Sequence, residues 1–159
     1  MVTFSVKQRI TDQFRVLGTV EWTNWSRLKA PAIISKATGA TISTLPFNYD
    51  DGWFFALGGE YDWNEQLTLR AGAAYEMSPI DTGIRSLRLP DDDRIWLSAG
   101  MTYKPMENLS LDLGYTHIFT ANDTRVNIVA GHQDFAGLTY TGDVDSSVNI
   151  VSAALRYSF

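Results

Sequence analysis

The chain has 159 residues, enough for one domain and too few for two comfortable ones, and its formal net charge of −5 comes with no cluster of Lys and Arg. Nucleic-acid binding, which needs a basic patch to meet phosphates, is excluded on that ground. Hydrophobic residues make up 45%, yet no stretch approaches the ~18 uninterrupted apolar residues of a membrane helix, so a helical membrane protein is excluded as well.

Strict alternation of apolar and polar or small residues recurs in segments of about ten residues, the length at which a tilted strand crosses a bilayer. The first strand is predicted over Val2–Arg9, with Val2, Phe4 and Val6 on one face and Thr3, Ser5 and Lys7 on the other. The second starts at Phe14. It sets Phe14, Val16, Val20 and Trp22 against Arg15, Thr19, Glu21 and Thr23, then continues irregularly through Trp25 towards Ile34. A third, over residues 53–62, joins Trp53, Phe55, Leu57 and Tyr61 opposite Ala56, Gly58, Glu60 and Asp62. The fourth sets Leu67, Leu69, Ala71, Ala73 and Tyr75 against Thr68, Arg70, Gly72, Ala74 and Glu76. In the fifth, Ile95, Leu97, Ala99, Met101 and Tyr103 oppose Trp96, Ser98, Gly100, Thr102 and Lys104; in the sixth, Leu109, Leu111, Leu113, Tyr115 and Phe119 oppose Ser110, Asp112, Gly114 and Thr116. The seventh carries Val151, Ala153, Leu155, Tyr157 and Phe159 against Ser152, Ala154, Arg156 and Ser158.

The connections alternate too. Residues 11–13, 64–66 and 105–108 make tight turns, while residues 35–51, 78–93 and 121–143 make long loops. Short turns on one side and long loops on the other are the asymmetry of an outer-membrane barrel, the short side being periplasmic. Alternation alone does not separate such a barrel from a soluble lipocalin-like barrel or β-sandwich. The second face decides: Gly, Ala and Ser with sparse charges of both signs (Lys7, Arg15, Glu21, Glu60, Arg70, Glu76, Asp112, Arg156) suit a crowded lumen. Aromatic residues supply a second discriminator. Tyr61, Trp63, Tyr103, Tyr157 and Phe159 fall beside the short turns and Tyr75, Tyr115 and Phe119 at the opposite ends, as in the girdles at two membrane interfaces. Val151, Ala153, Leu155, Tyr157 and Phe159, at two-residue steps, match the form of the outer-membrane assembly signal.

Residues 10–28 (ITDQFRVLGTVEWTNWSRL), 88–105 (RLPDDDRIWLSAGMTYKP) and 109–119 (LSLDLGYTHIF) resemble the FadL family of long-chain fatty-acid and hydrocarbon transporters. The most distinctive is the Pro-Asp loop entering a strand with Arg94 and Trp96. The resemblance implies a fourteen-stranded antiparallel transmembrane β-barrel in the bacterial outer membrane, with a luminal plug and sideways release of hydrophobic ligands. This chain looks like the C-terminal half: residues 1–159 form one barrel domain, all-β, of about seven strands, open or incompletely closed. Its expected partners are outer-membrane lipid, the barrel-assembly machinery through the last strand, a hydrophobic small-molecule ligand, and the missing N-terminal half of the barrel. Passive uptake of hydrophobic compounds is the function implied, with a general porin or structural barrel as the alternative. No ligand-contacting residue carries over from a matched motif.

Seven strands also leave the first and last running in the same direction, so closing them on each other would need a parallel pair. Unpaired edges in lipid are costly, and the isolated chain is not expected to be a stable unit. Met1 is followed directly by an alternating segment, so the expectation is a secretory signal already removed or a longer parent chain.

No cofactor, metal site or enzymatic activity is expected. With no cysteine there is no disulfide and no thiolate site. His117 and His132 have no second ligand at metal spacing and no nucleophile beside them, so His117 reads as a plain interfacial histidine ahead of a lipid hydrolase's base. Asp91, Asp92 and Asp93, flanked by Arg88 and Arg94, lack a defined cation-binding spacing and read as a solvated loop with local ion pairs. Glu60, Asp62, Arg70, Glu76 and Arg156 read as luminal pairs that satisfy one another's charge, and Trp22 and Trp25 as lipid or interface anchors.

Overall fold

The structure is a computed structural model that describes residues 1–122 and 124–158. Among them the strands are β1 (Val2–Arg9), β2 (Phe14–Thr23), β3 (Ala32–Ile34), β4 (Thr41–Thr44), β5 (Gly52–Asp62), β6 (Leu67–Met77), β7 (Arg94–Met106), β8 (Leu109–Thr120), β9 (Thr124–Ile128), β10 (Tyr140–Val144) and β11 (Ser147–Tyr157). Seven of them form one antiparallel sheet in the order β1-β2-β5-β6-β7-β8-β11, matching the seven segments the alternation predicts. The second strand does not run on towards Ile34. It ends at Thr23, a 3-10 turn follows over Trp25–Arg27, and Ala32–Ile34 pairs with Thr41–Thr44 as a separate hairpin. A further hairpin, β9 with β10, lies in the last long loop.

Turn chemistry fixes the register on the short side. Thr11 Oγ1 accepts from the backbone N–H groups of Gln13 and Phe14 at 3.3 and 3.0 Å, and Asn64 Oδ1 accepts from those of Gln66 and Leu67 at 2.9 and 2.8 Å. The β7–β8 turn is tighter than predicted because β7 continues to Met106, and the register shifts between Tyr103 and Met106, around Pro105, which has no N–H to give the ladder.

Because pairing is in step across all seven strands, each face is continuous. Phe4, Val20, Phe55, Tyr75, Ile95 and Phe119 lie on one row of the outer face, and Ser5, Thr19, Ala56, Ala74, Trp96 and Ile118 on one row of the inner face. The outer face stays bare. Leu57, Leu113, Val151 and Leu155 are 65%, 53%, 79% and 66% exposed. An apolar sheet face that large has no counterpart in a soluble monomer, and a bilayer satisfies it. The buried hydrophobic residues Ile80, Ile118, Val126 and Ile128 instead gather under the long loops, around the outer ends of β7 and β8.

The sheet is not closed: β1 and β11 are its edges, and an odd strand count leaves them parallel in direction. Antiparallel closure needs an odd number of further strands, which agrees with this chain being part of a barrel wall. Val151, Leu155 and Tyr157 face outwards on edge strand β11, whereas Phe159 lies outside the described residues.

A candidate luminal site

On the inner face the register brings charges that are far apart in sequence into one belt near the short turns. Glu60, 8% exposed, sits between Lys7 Nζ at 2.9 Å, Arg15 Nε at 2.5 Å and Arg70 Nε at 2.7 Å. Arg15 turns its other two nitrogens on Asp62 in a bidentate pair at 2.6 and 2.5 Å, and Thr68 donates to the same carboxylate at 2.8 Å. Arg70 Nη1 donates to Thr102 Oγ1 at 2.6 Å, Thr102 donates in turn to Asp112, and Arg156 closes the series on Asp112 at 3.2 Å. Every strand of the main sheet contributes a side chain. The four cations exceed the three carboxylates, and Arg70 and Arg156 keep side-chain exposures of 44% and 77%.

Beside the belt the inner wall is nearly bare backbone. Leu17, Gly58, Gly72, Ser98, Gly100 and Gly114 line a groove of about 480 Å³ that reaches Glu60, Arg70 and Asp112. Close approach favours glycine here: a Cβ on Gly72 would lie 3.2 Å from the Leu57 carbonyl oxygen, and one on Gly100 3.1 Å from that of Leu113, so the neighbouring strand would have to give slightly. Towards the long loops the groove continues between Leu17, Thr19, Phe54 and Trp96, with the two rings edge-to-face at 5.8 Å. Trp96 Nε1 donates to Glu76 at 2.9 Å, which holds that ring. The result is an amphipathic channel wall: apolar and aromatic at its outer end, small-residue along its length, and charged with accessible guanidinium groups at its inner end.

The predicted luminal pairing therefore stands for Lys7, Arg15, Glu60, Asp62, Arg70, Asp112 and Arg156, while Glu76 pairs only loosely with Arg94 at 3.9 Å and Glu21 accepts from Thr3 at 2.7 Å. No motif marks Thr102 or Phe54 as a site residue in the sequence; their inward register position is the available signal. The Asp91–Asp93 run is dismantled into structural contacts. Asp91 pairs with Arg94, Asp92 with buried Arg85 at 2.9 Å, and Asp93 takes the Tyr75 hydroxyl at 2.5 Å, whereas Arg88 goes to Asp134 at 2.9 Å. Trp22 is anchored by donating to Asp51 at 3.0 Å. Hydrogen bonds from Ser26, together with that from Trp22, hold the Asp51 carboxyl below its usual range.

His117 lies on the outer face beside Asn149, which takes the His117 Nδ1 contact at 2.8 Å and the Tyr115 hydroxyl at 2.7 Å through one oxygen. That gives the ring an orienting partner at the outer membrane rim. Among the described residues no hydroxyl nucleophile is bonded to its second nitrogen.

Comparison with known proteins agrees with this architecture. The whole chain, residues 1–159, matches the family described as outer membrane protein transport protein (OMPP1/FadL/TodX). It is 34% identical over 113 residues to a long-chain fatty acid transport protein of Escherichia coli, covering 69% of this chain and 24% of that one. It is 39% identical over 110 residues to outer membrane protein P1 of Haemophilus influenzae, again covering 69% and 24%. Among solved structures it superposes on a Pseudomonas aeruginosa FadL homologue with a TM-score of 0.81 and 29% identity, covering 98% of this chain and 34% of that one. The P. putida toluene transporter TodX shares the fold, with a TM-score of 0.63, 18% identity and the same 98% and 34% coverage. The chain thus spans about a quarter to a third of the length of the relatives it matches.

Proposed function

Since the chain belongs to the outer membrane protein transport protein family (OMPP1/FadL/TodX), we propose that it supplies barrel wall for the passive uptake of hydrophobic compounds, long-chain fatty acids among them. The observation that carries this reading is the amphipathic inner groove. An acyl chain laid on the Gly58, Gly72 and Gly100 floor, between Leu17, Phe54 and Trp96, buries apolar surface at about 25 cal/mol per Å². Its carboxylate then reaches the accessible guanidinium groups of Arg70 and Arg156, whose planar donors suit a carboxylate. Grooves of this size usually hold a ligand by apolar walls with a few placed polar groups.

The test is isothermal titration of oleate into the intact protein in detergent, with and without the double substitution Arg70→Gln and Arg156→Gln. Saturable binding that weakens about tenfold in the variant supports the proposal. Absence of saturable binding, together with steady ion conductance in planar bilayers, would instead favour a general porin. The family consists of transport proteins, and no catalytic role is proposed; lipid hydrolysis abolished by His117→Ala would contradict that.

Residues 1–159 are proposed as one barrel-wall unit, completed by the remaining strands of a longer protein. Val151, Ala153, Leu155 and Tyr157, with Phe159, are proposed as the signal read by the barrel-assembly machinery; their outward, edge-strand setting supports this for the first four.

A further inference from the structure

Between β2 and β5 the chain carries no acidic residue from Trp22 to Tyr49, yet it carries Arg27, Lys29 and Lys36. That pattern departs from a chain of net charge −5 whose other two long loops hold more Asp than Arg. All three cations are exposed, and among the described residues none of them forms an ion pair. Arg85 and Arg88 in the second long loop and Arg125 in the third all do.

The same stretch builds a hairpin with both faces open. The Asn48 N–H donates to the Lys29 carbonyl at 2.8 Å and the Leu45 N–H to the Pro31 carbonyl at 3.0 Å. Beyond them β3 pairs with β4, and Gly39, at a φ of 70°, takes the chain round the tip, its N–H donating to the Ser35 carbonyl at 2.8 Å. Every residue of β3 and β4 is exposed, Ile34 at 60% and Ile42 at 68%. A lone two-stranded hairpin is marginal in water, and one that presents Ile33, Ile34, Ile42 and Leu45 together needs a cover.

Its anchorage indicates which cover. At the outer ends of β2 and β5, Trp22 and Trp53 pair on the lipid-facing side, and exposed Trp25 lies beside Gly52. Amphipathic rings at strand ends mark the membrane surface. The chain from Trp25 to Ala32 spans at most about 25 Å, so the hairpin stays within reach of that surface. Apolar side chains on one short element, unpaired cations beside them and no carboxylate to repel phosphate are the parts of an interfacial anchor.

We propose that the β3–β4 hairpin lies in the headgroup layer of the outer leaflet, with Ile34 and Ile42 among the lipids and Arg27, Lys29 and Lys36 on anionic lipid phosphates. The membrane contact of the wall thus extends past the strands into the first long loop. It is independent of what passes through the lumen.

The test places a nitrobenzoxadiazole dye at Ile42→Cys in the intact protein, with the parent protein carried through the same labelling as the blank. Vesicles are phosphatidylcholine alone or with an equal share of phosphatidylglycerol, and quenching by aqueous acrylamide is compared with quenching by headgroup spin-labelled lipid. In the anionic vesicles the spin-labelled lipid should lower emission at least about twofold while acrylamide has little effect. The same dye at Leu138→Cys, an 83% exposed position in the third long loop, should answer to acrylamide instead. Each cation at an anionic surface is worth about fivefold in the ratio of immersed to free hairpin, so Lys29→Gln with Lys36→Gln should return the Ile42 dye to acrylamide. These positions are exposed, and the double variant should stay heat-modifiable on gels like the parent. Acrylamide quenching as strong at position 42 as at position 138 overturns the proposal, as does lipid quenching indifferent to the two lysine substitutions. An emission change that grows with the protein-to-lipid ratio also overturns it, since that is contact between two copies.

Discussion

Glu60→Gln is the sharpest perturbation of the luminal belt, because one carboxylate serves Lys7, Arg15 and Arg70 at 2.9, 2.5 and 2.7 Å and is 8% exposed. Breaking a fully buried pair costs ~3–5 kcal/mol, which is the ceiling. Three facts lower it. Arg15 keeps its bidentate hold on Asp62, Arg70 keeps Thr102, and Lys7 is 52% exposed and regains water. The amide also keeps the shape and one acceptor. About 2 kcal/mol remains, or a factor of about 30 in the folding equilibrium. The assay is guanidinium unfolding of the intact protein in lipid vesicles, with Glu76→Gln as control; Glu76 is half-exposed and pairs with Arg94 only at 3.9 Å, so it should cost under ~1 kcal/mol. If Glu60→Gln is no more destabilising than Glu76→Gln, the belt does not hold the wall together and the reasoning fails.

Leu113→Arg, on the bare outer face of β8, should cost ~2–4 kcal/mol in a bilayer, whereas Ser152→Arg on the inner face of β11 should cost under ~1 kcal/mol; the same unfolding series reports both. Gly72→Leu fills the groove where even a Cβ meets the Leu57 carbonyl at 3.2 Å, and oleate titration should show binding weakened about tenfold with the barrel still heat-modifiable on gels. Because the folded Asp51 pKa is depressed, its contacts with Ser26 and Trp22 are fully present above about pH 4 and are lost as pH falls through the lower folded value. Trp22 emission should therefore shift on acidification below about pH 4, and the shift should vanish in Asp51→Asn.

The long strands and their two faces were legible because a half-buried strand writes its burial as a period of two, as at residues 109–119. The hairpins β3–β4 and β9–β10 were not. Their strands span only three to five residues, too short for a period to emerge, although the alternating burial of Thr124, Val126 and Ile128 is visible once the loops close over them. The charges of the lumen were legible as a set but not as pairs. Lys7 meets Glu60 across 53 residues of sequence, and only the register of β1, β2 and β5 decides that. The contacts between the long loops were invisible for the same reason: Gln133 donates to the Ile84 carbonyl across 49 residues of sequence. Likewise His117 gains its partner Asn149 solely through the β8–β11 pairing.

These 159 residues contain no cysteine, so single cysteines placed along β8 meet no competing thiol in this part of the wall. Probed in vesicles with a water-soluble thiol reagent and a lipid-confined quencher, positions 110, 112, 114 and 116 should react from the aqueous lumen. Positions 111, 113 and 115 should be quenched from the bilayer. Uniform reactivity along the strand, or the opposite phase, would contradict a barrel wall with a luminal inner face.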